Sequence, residues 1–141
     1  VRLGIEPLNR YETSVVNTVD QGIEMIADLP AEAVGLTLDT YHLNIEEQDP
    51  AAAVRRAGAA GRLAHVQVCA NDRGAPGADH MDWAGLRDAL GAAGYDGPLC
   101  IESFTAENAS IATAASIWRP LARSQDAIAT DGLAFLRSVW S

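Results

Sequence analysis

PLNRYET, residues 7–13, follows the first strand-like run of the chain, VRLGIE (1–6), and contains no glycine. A doubly wound nucleotide-binding sheet carries a glycine-rich loop at this point, where the backbone must close on a phosphate. The bulky polar residues found there instead point to the other arrangement of successive βα units, a β/α barrel. Everything downstream keeps the same alternation. Residues 14–29 (SVVNTVDQGIEMIADL) space their apolar side chains as a helix does, and 34–39 (VGLTLD) read as a second strand. Asp49-Pro50 opens a helix running to about Gly58, with proline at a favoured first-turn position. Residues 63–69 (LAHVQVC) form a third strand, followed by a Gly/Pro-rich loop. Asp82 caps a helix over 83–93 that Gly94 ends, and 98–103 (PLCIES) form a fourth strand. Helices over about 109–120 and 125–139 close the chain. Four βα units imply a parallel sheet with right-handed crossovers, half of an eight-stranded (β/α)8 TIM barrel, with residues 1–141 forming a single domain segment.

Bulk composition narrows the partners. A net charge of −9 with only ten Lys plus Arg leaves no basic face for nucleic acid. No apolar run approaches the ~20 residues that cross a bilayer, so no membrane partner is expected. No basic segment followed by an apolar core marks a signal peptide. The two cysteines, Cys69 and Cys100, are too far apart in sequence for a zinc or disulfide motif. A reducing cytoplasm fits. The chain opens at Val1, inside a strand and without Met, as the later part of a longer protein would.

Each strand finishes near a side chain that can bind metal. These are Glu6 in GIEPLNRYE, Asp39 in LDTYHLNIEE, Gln67 in HVQVCANDRGAPG and Glu102 in CIESF. One carboxylate at a strand end is commonly a cap or a solvated loop residue. Four strands of four ending this way are hard to assign to solvation. The carboxyl ends of barrel strands form the active-site face, and three carboxylates with one amide oxygen suit an oxygen-preferring cation.

Those four motifs, taken together over roughly residues 2–104, resemble the ketose 3-epimerases of the D-tagatose and D-allulose (psicose) 3-epimerase type. These belong to the xylose-isomerase-like sugar isomerase/epimerase group. The resemblance implies that the chain covers about strands five to eight, the C-terminal half of the barrel. It implies metal ligands at Glu6, Asp39, Gln67 and Glu102 for a divalent cation, Mn²⁺, with Mg²⁺ and Co²⁺ as alternatives. It also implies substrate contacts from Glu12, His42 and Arg73. The family's third ligand is normally His, and Gln67 in its place is similar to the related hydroxypyruvate isomerases. His65 shares the strand parity of Gln67 and should face the same way. Cys69 and Cys100 share parity with Gln67 and Glu102 and are expected to pack inside the barrel. Glu46 and Glu47 read as a solvated acidic loop, and His80 as a loop histidine without a chemical role.

The implied chemistry is C3 epimerisation of a free ketose through a cis-enediolate. Two bases, Glu6 and Glu102, flank the carbon, and the cation stabilises the oxyanion. Two alternatives stand beside it: a hydroxypyruvate-isomerase-like aldose–ketose isomerase, and an inactive barrel fragment. Open strand edges at VRLGIE and PLCIES are expected to drive homo-oligomerisation or association with the missing barrel half.

Overall fold

Side chains along a strand alternate between the two faces of its sheet, and here the alternation divides apolar from polar. The computed structural model describes residues 1–141. Four strands, β1 (Leu3–Ile5), β2 (Val34–Asp39), β3 (Leu63–Val68) and β4 (Leu99–Ile101), form one parallel sheet in the order β1-β2-β3-β4. Leu36 and Leu38 on β2, with Val66 and Val68 on β3, face the helices. The helices are α1 (Val19–Met25), α2 (Thr40–Glu46), α3 (Pro50–Ala59), α4 (Trp83–Ala92), α5 (Ala109–Ala114) and α6 (Gln125–Val139). Val19, Val54, Ala57, Trp83, Leu86, Leu90 and Leu136 complete the core between sheet and helices. Thr37, His65 and Gln67 are only half-buried on the opposite face. That face also exposes Gly4 and Cys100. Sequential strands lying side by side in parallel, with helices between them, are the barrel's repeating unit.

Local signals explain where the helices depart from expectation. The first helix does not begin at residue 14. Thr18 accepts from the Gln21 backbone N–H while the Gln21 side chain accepts from the Thr18 N–H, a capping box that starts α1 at Val19. Ahead of it, the Asn17 amide donates to the carbonyls of Leu8 and Thr13 and holds the chain in a loop. The helix expected over 109–120 stops after Ala114, and Ser116 adopts a positive φ of 54°.

A larger departure follows β2. The strand passes into α2 with no loop between them, because the Asp39 carboxylate accepts the Tyr41 N–H at 2.8 Å and caps the helix. Glu46 and Glu47 are therefore not a solvated loop. Glu46 pairs with Arg10 at 3.0 Å and Glu47 with Arg56 at 3.0 Å, their side chains only 5% and 8% exposed. Glu47 also accepts the N–H of Val19, which ties α2 to the start of α1. Cys69 is buried as expected, whereas Cys100 is exposed, since β4 is an edge strand and no residue of the chain covers its open face.

Candidate active site

The sheet register brings the strand-end residues to one level. Asp39 pairs with Gln67 and Gln67 with Cys100, while Glu6 and Glu102 each follow the last residue of an outer strand. Glu6, Glu12, His42, Arg73 and Glu102 line one cavity of about 550 Å³, shared with Asn9, Tyr41 and Phe104. Asp39 and Gln67 lie beneath it and connect to it by hydrogen bonds. The Gln67 amide donates to Glu102 Oε1 at 2.9 Å, and Asp39 accepts from Arg73. All seven residues singled out in the sequence thus come together, whereas His80 stands apart, bonded to Asn44 at the surface.

Arg73 occupies the centre. Its loop closes through bonds from Ala70 N–H to the Gly74 carbonyl and from Arg73 N–H to the Ala70 carbonyl, with Arg73 at φ 70°. That left-handed backbone is uncommon for a side chain other than Gly or Asn, and it turns the guanidinium inward. Nη1 donates to Asp39 Oδ2 at 2.5 Å and to Glu102 Oε2 at 3.0 Å. The guanidinium lies over the Tyr41 ring at 4.2 Å and faces the Phe104 ring at 5.3 Å. Both rings position the cation without competing for its donors.

His42 is fixed from the other side. As the third residue of α2 it is one turn beyond Asp39, and its Nδ1 accepts the Asn9 backbone N–H at 3.1 Å. The neutral ring therefore carries its proton on Nε2. Nε2 faces Glu6 Oε1 at 3.8 Å and Arg73 Nη2 at 3.1 Å. The Asn9 amide also donates to Glu12 Oε1 at 2.9 Å, so one buried residue links Glu12 to His42. Sequence reasoning passed over Asn9, Tyr41 and Phe104. Asn9 sits in the glycine-free loop, but only the fold brings His42, 33 residues later, beside it.

Burial, and after it the neighbouring charges, sets the protonation states. Burial first, then the Asp39 and Glu102 charges, raises the Glu6 carboxyl from 4.5 to about 7. Burial also raises Asp39 to about 6, against the opposing pull of Arg73. His42 drops to about 4, chiefly through burial and then through Arg73, so it is neutral at pH 7. The Cys69 thiol is pushed up to about 12 by burial and by Asp39, and it is inert as a nucleophile.

The donor set fits a divalent cation. Glu6 and Asp39 offer carboxylate oxygens, and a ring nitrogen of His42 lies within 4.8 Å of both. Gln67 Oε1 is buried without a hydrogen-bond partner, an acceptor aimed at nothing in the chain. The sequence pointed to Glu6, Asp39, Gln67 and Glu102, and the fold adds His42 Nε2 to their neighbourhood. Carboxylate and amide oxygens dominate, as hard cations require.

Comparison with known proteins agrees with the barrel-type fold. Residues 1–139 match the family described as xylose isomerase-like TIM barrel. A relative from Synechocystis sp., named a probable ketose 3-epimerase, is 40% identical over 99% of this chain and 48% of its own length. An L-ribulose 3-epimerase from Mesorhizobium japonicum is 38% identical over 96% of this chain and 46% of its own. A solved structure of L-ribulose 3-epimerase superposes with a TM-score of 0.89 at 36% identity, covering 99% of this chain and 48% of that one. The chain spans about half the length of the curated relatives it matches. No helix is long and apolar enough to cross a membrane.

Proposed function

Because the chain belongs to the xylose isomerase-like TIM barrel family, we propose that it supplies strands five to eight of a barrel enzyme that epimerises a free ketose at C3. The observation that carries this reading is the convergence of Glu6, Glu12, His42, Arg73 and Glu102 on one cavity above Asp39 and Gln67. Relatives named probable ketose 3-epimerase and L-ribulose 3-epimerase support the substrate class.

Epimerisation next to a carbonyl removes a proton from one face of C3 and returns one to the other. Glu6 and Glu102, following the two outer strands, are the acid–base pair. The charge of a bound cation would hold both carboxylates ionised, so each takes up the proton in turn as the cycle runs. The Arg73 guanidinium and the His42 Nε2–H orient the substrate oxygens and stabilise charge that develops on them. Glu12, held by Asn9, hydrogen-bonds a hydroxyl farther along the sugar. Held by Glu6, Asp39, Gln67 and Glu102, a divalent cation would act as Lewis acid toward the developing enediolate; we take it as Mn²⁺, with Mg²⁺ and Co²⁺ as alternatives.

In the full polypeptide, Glu6→Gln or Glu102→Gln should slow exchange of the substrate C3 proton with deuterated water by ~10²–10⁴ and leave the fold intact. Near-native exchange in either variant would remove that residue as a base. A second reading, a hydroxypyruvate-isomerase-like enzyme, draws on Gln67. Turnover of hydroxypyruvate in preference to a panel of ketohexoses would select it.

The same reading accounts for the open edges. β1 and β4 border the sheet, and beside β4 a groove of about 600 Å³ is lined by Leu99, Ile101, Phe104, Ile111, Ile128 and Leu133. The first half of the barrel, or a second copy of this chain, covers such edges. The 141-residue chain alone should therefore self-associate in light scattering. A monodisperse monomer that unfolds cooperatively would contradict this.

A further inference from the structure

Arg73 is the one cationic side chain lining the cavity, and two of the groups around it remain badly served. Nη1 bridges Asp39 Oδ2 and Glu102 Oε2, two of the four residues read as cation ligands. Nη2 meets His42 Nε2 at 3.1 Å. Since Nδ1 of that ring accepts the Asn9 N–H, Nε2 carries the proton, and two donors face each other. Gln67 Oε1, meanwhile, has no partner at all. The guanidinium neutralises the carboxylates, but it leaves a buried acceptor empty and a donor opposed.

We propose that Arg73 is an internal counter-cation, which clamps Asp39 and Glu102 together when no metal is bound and must surrender both when a divalent cation enters. The inference rests on the cation reading given above. An ion ligated by these oxygens at ~2.0–2.6 Å would lie within a few ångströms of Nη1 and repel it strongly. The guanidinium has somewhere to go. Its stem is flexible, the Tyr41 face is already beside it, and Glu12 lies in the same cavity. Its backbone stays anchored, through Arg73 N–H to the Ala70 carbonyl and Phe104 N–H to the Arg73 carbonyl. Withdrawal of the side chain thus carries it from the ligand oxygens into the space where sugar oxygens would bind. Metal loading and assembly of the sugar site become one event, and Arg73 is a positioning residue for both.

The experiment compares wild type, Arg73→Lys and Arg73→Met in the full polypeptide, with Mn²⁺ binding followed by loss of the free-ion EPR signal. Arg73→Met should bind Mn²⁺ about tenfold or more tightly, because no resident cation must be displaced, while its metal-free form melts at a lower temperature. Arg73→Lys, which keeps the charge, should stay near wild type in affinity. Equal or weaker Mn²⁺ binding by a cooperatively folded Arg73→Met would overturn the proposal and leave the cation reading standing. No binding of Mn²⁺, and none of Mg²⁺ or Co²⁺ by calorimetry, to any of the three, wild type included, would overturn both. A measurement on wild type alone guards against a variant that does not fold. The Arg73 Nε–H resonance should shift on saturation with diamagnetic Mg²⁺, and an unmoved resonance at saturation would overturn the proposal.

Discussion

On β2, Leu36 and Leu38 point one way and Thr37 and Asp39 the other, and the two pairs are held by unlike forces. The leucines are 0% and 1% exposed, packed with Val66, Val68 and the helices. Burying such a side chain contributes about 1.5–3 kcal/mol, and no single partner is indispensable. Asp39 is equally buried, yet its stability depends on specific donors: the Tyr41 N–H and the Arg73 guanidinium. Remove a donor and a buried charge is stranded. At the sheet's edges the packed face is open, with Leu3 exposed and Leu99 and Ile101 on the groove, but on β2 and β3 it is complete within this chain. The polar face is not, with Gln67 Oε1 unpartnered and Gly4 and Cys100 exposed. A sheet that finishes the centre of one face and leaves the other in want of partners has separated the work of folding from that of binding.

The largest test of the contrast lies on the packed face. Leu38→Ala should cost about 2–5 kcal/mol in denaturant unfolding, through lost burial and the cavity left behind. A loss below about 1 kcal/mol would mean that the helices do not hold this face.

Next comes the pH dependence of the polar face without metal. The folded-state value of Glu6 is raised from 4.5 to about 7, so the folded protein binds its proton more tightly than the unfolded chain does. That contribution is present below 4.5 and is lost as pH rises toward 7. Stability of wild type relative to Glu6→Gln should therefore fall across that window. His42 lies 3.8 Å from Glu6 but is shifted the opposite way, to about 4, so across the upper part of that window it is neutral in both folded proteins and cancels in the difference. A flat difference would show Glu6 to be unperturbed.

Smaller still is Gln67→Leu. It deletes a bond to Glu102 together with a buried unpartnered acceptor, so metal-free stability should change by no more than about 1 kcal/mol. Mn²⁺ affinity, by contrast, should fall clearly. A large loss of metal-free stability would make Gln67 a structural residue. Smallest is Cys100→Ser on the exposed edge, expected within about 0.5 kcal/mol of wild type.

The polar ring was legible in the sequence because strand alternation is local: a side chain's face follows from its neighbours at a period of two. That is why Glu6, Asp39, Gln67 and Glu102 could be read as one level before any fold was known. α2 was hidden because LDTYHLNIEE carries ligand-type residues where a loop is the simpler reading. The signal was nonetheless present in Asp39, a favoured cap directly ahead of a helix-compatible run.

By itself the sequence determined the order of the four strands and of every helix but α2, the apolar stripe that buries them and the residues at the four strand ends. Each of these depends on spacing within a dozen residues. The tertiary structure alone decided what those residues touch. It placed Asn9 on His42 across 33 positions, Arg10 on Glu46 across 36, and Arg73 on Asp39 across 34. It also decided that Cys100 is exposed while Cys69 is buried, although both share strand parity with the site. Such pairings depend on how separate elements dock, and no local period encodes that. A charge in the sequence is only a charge until the fold chooses its counterpart.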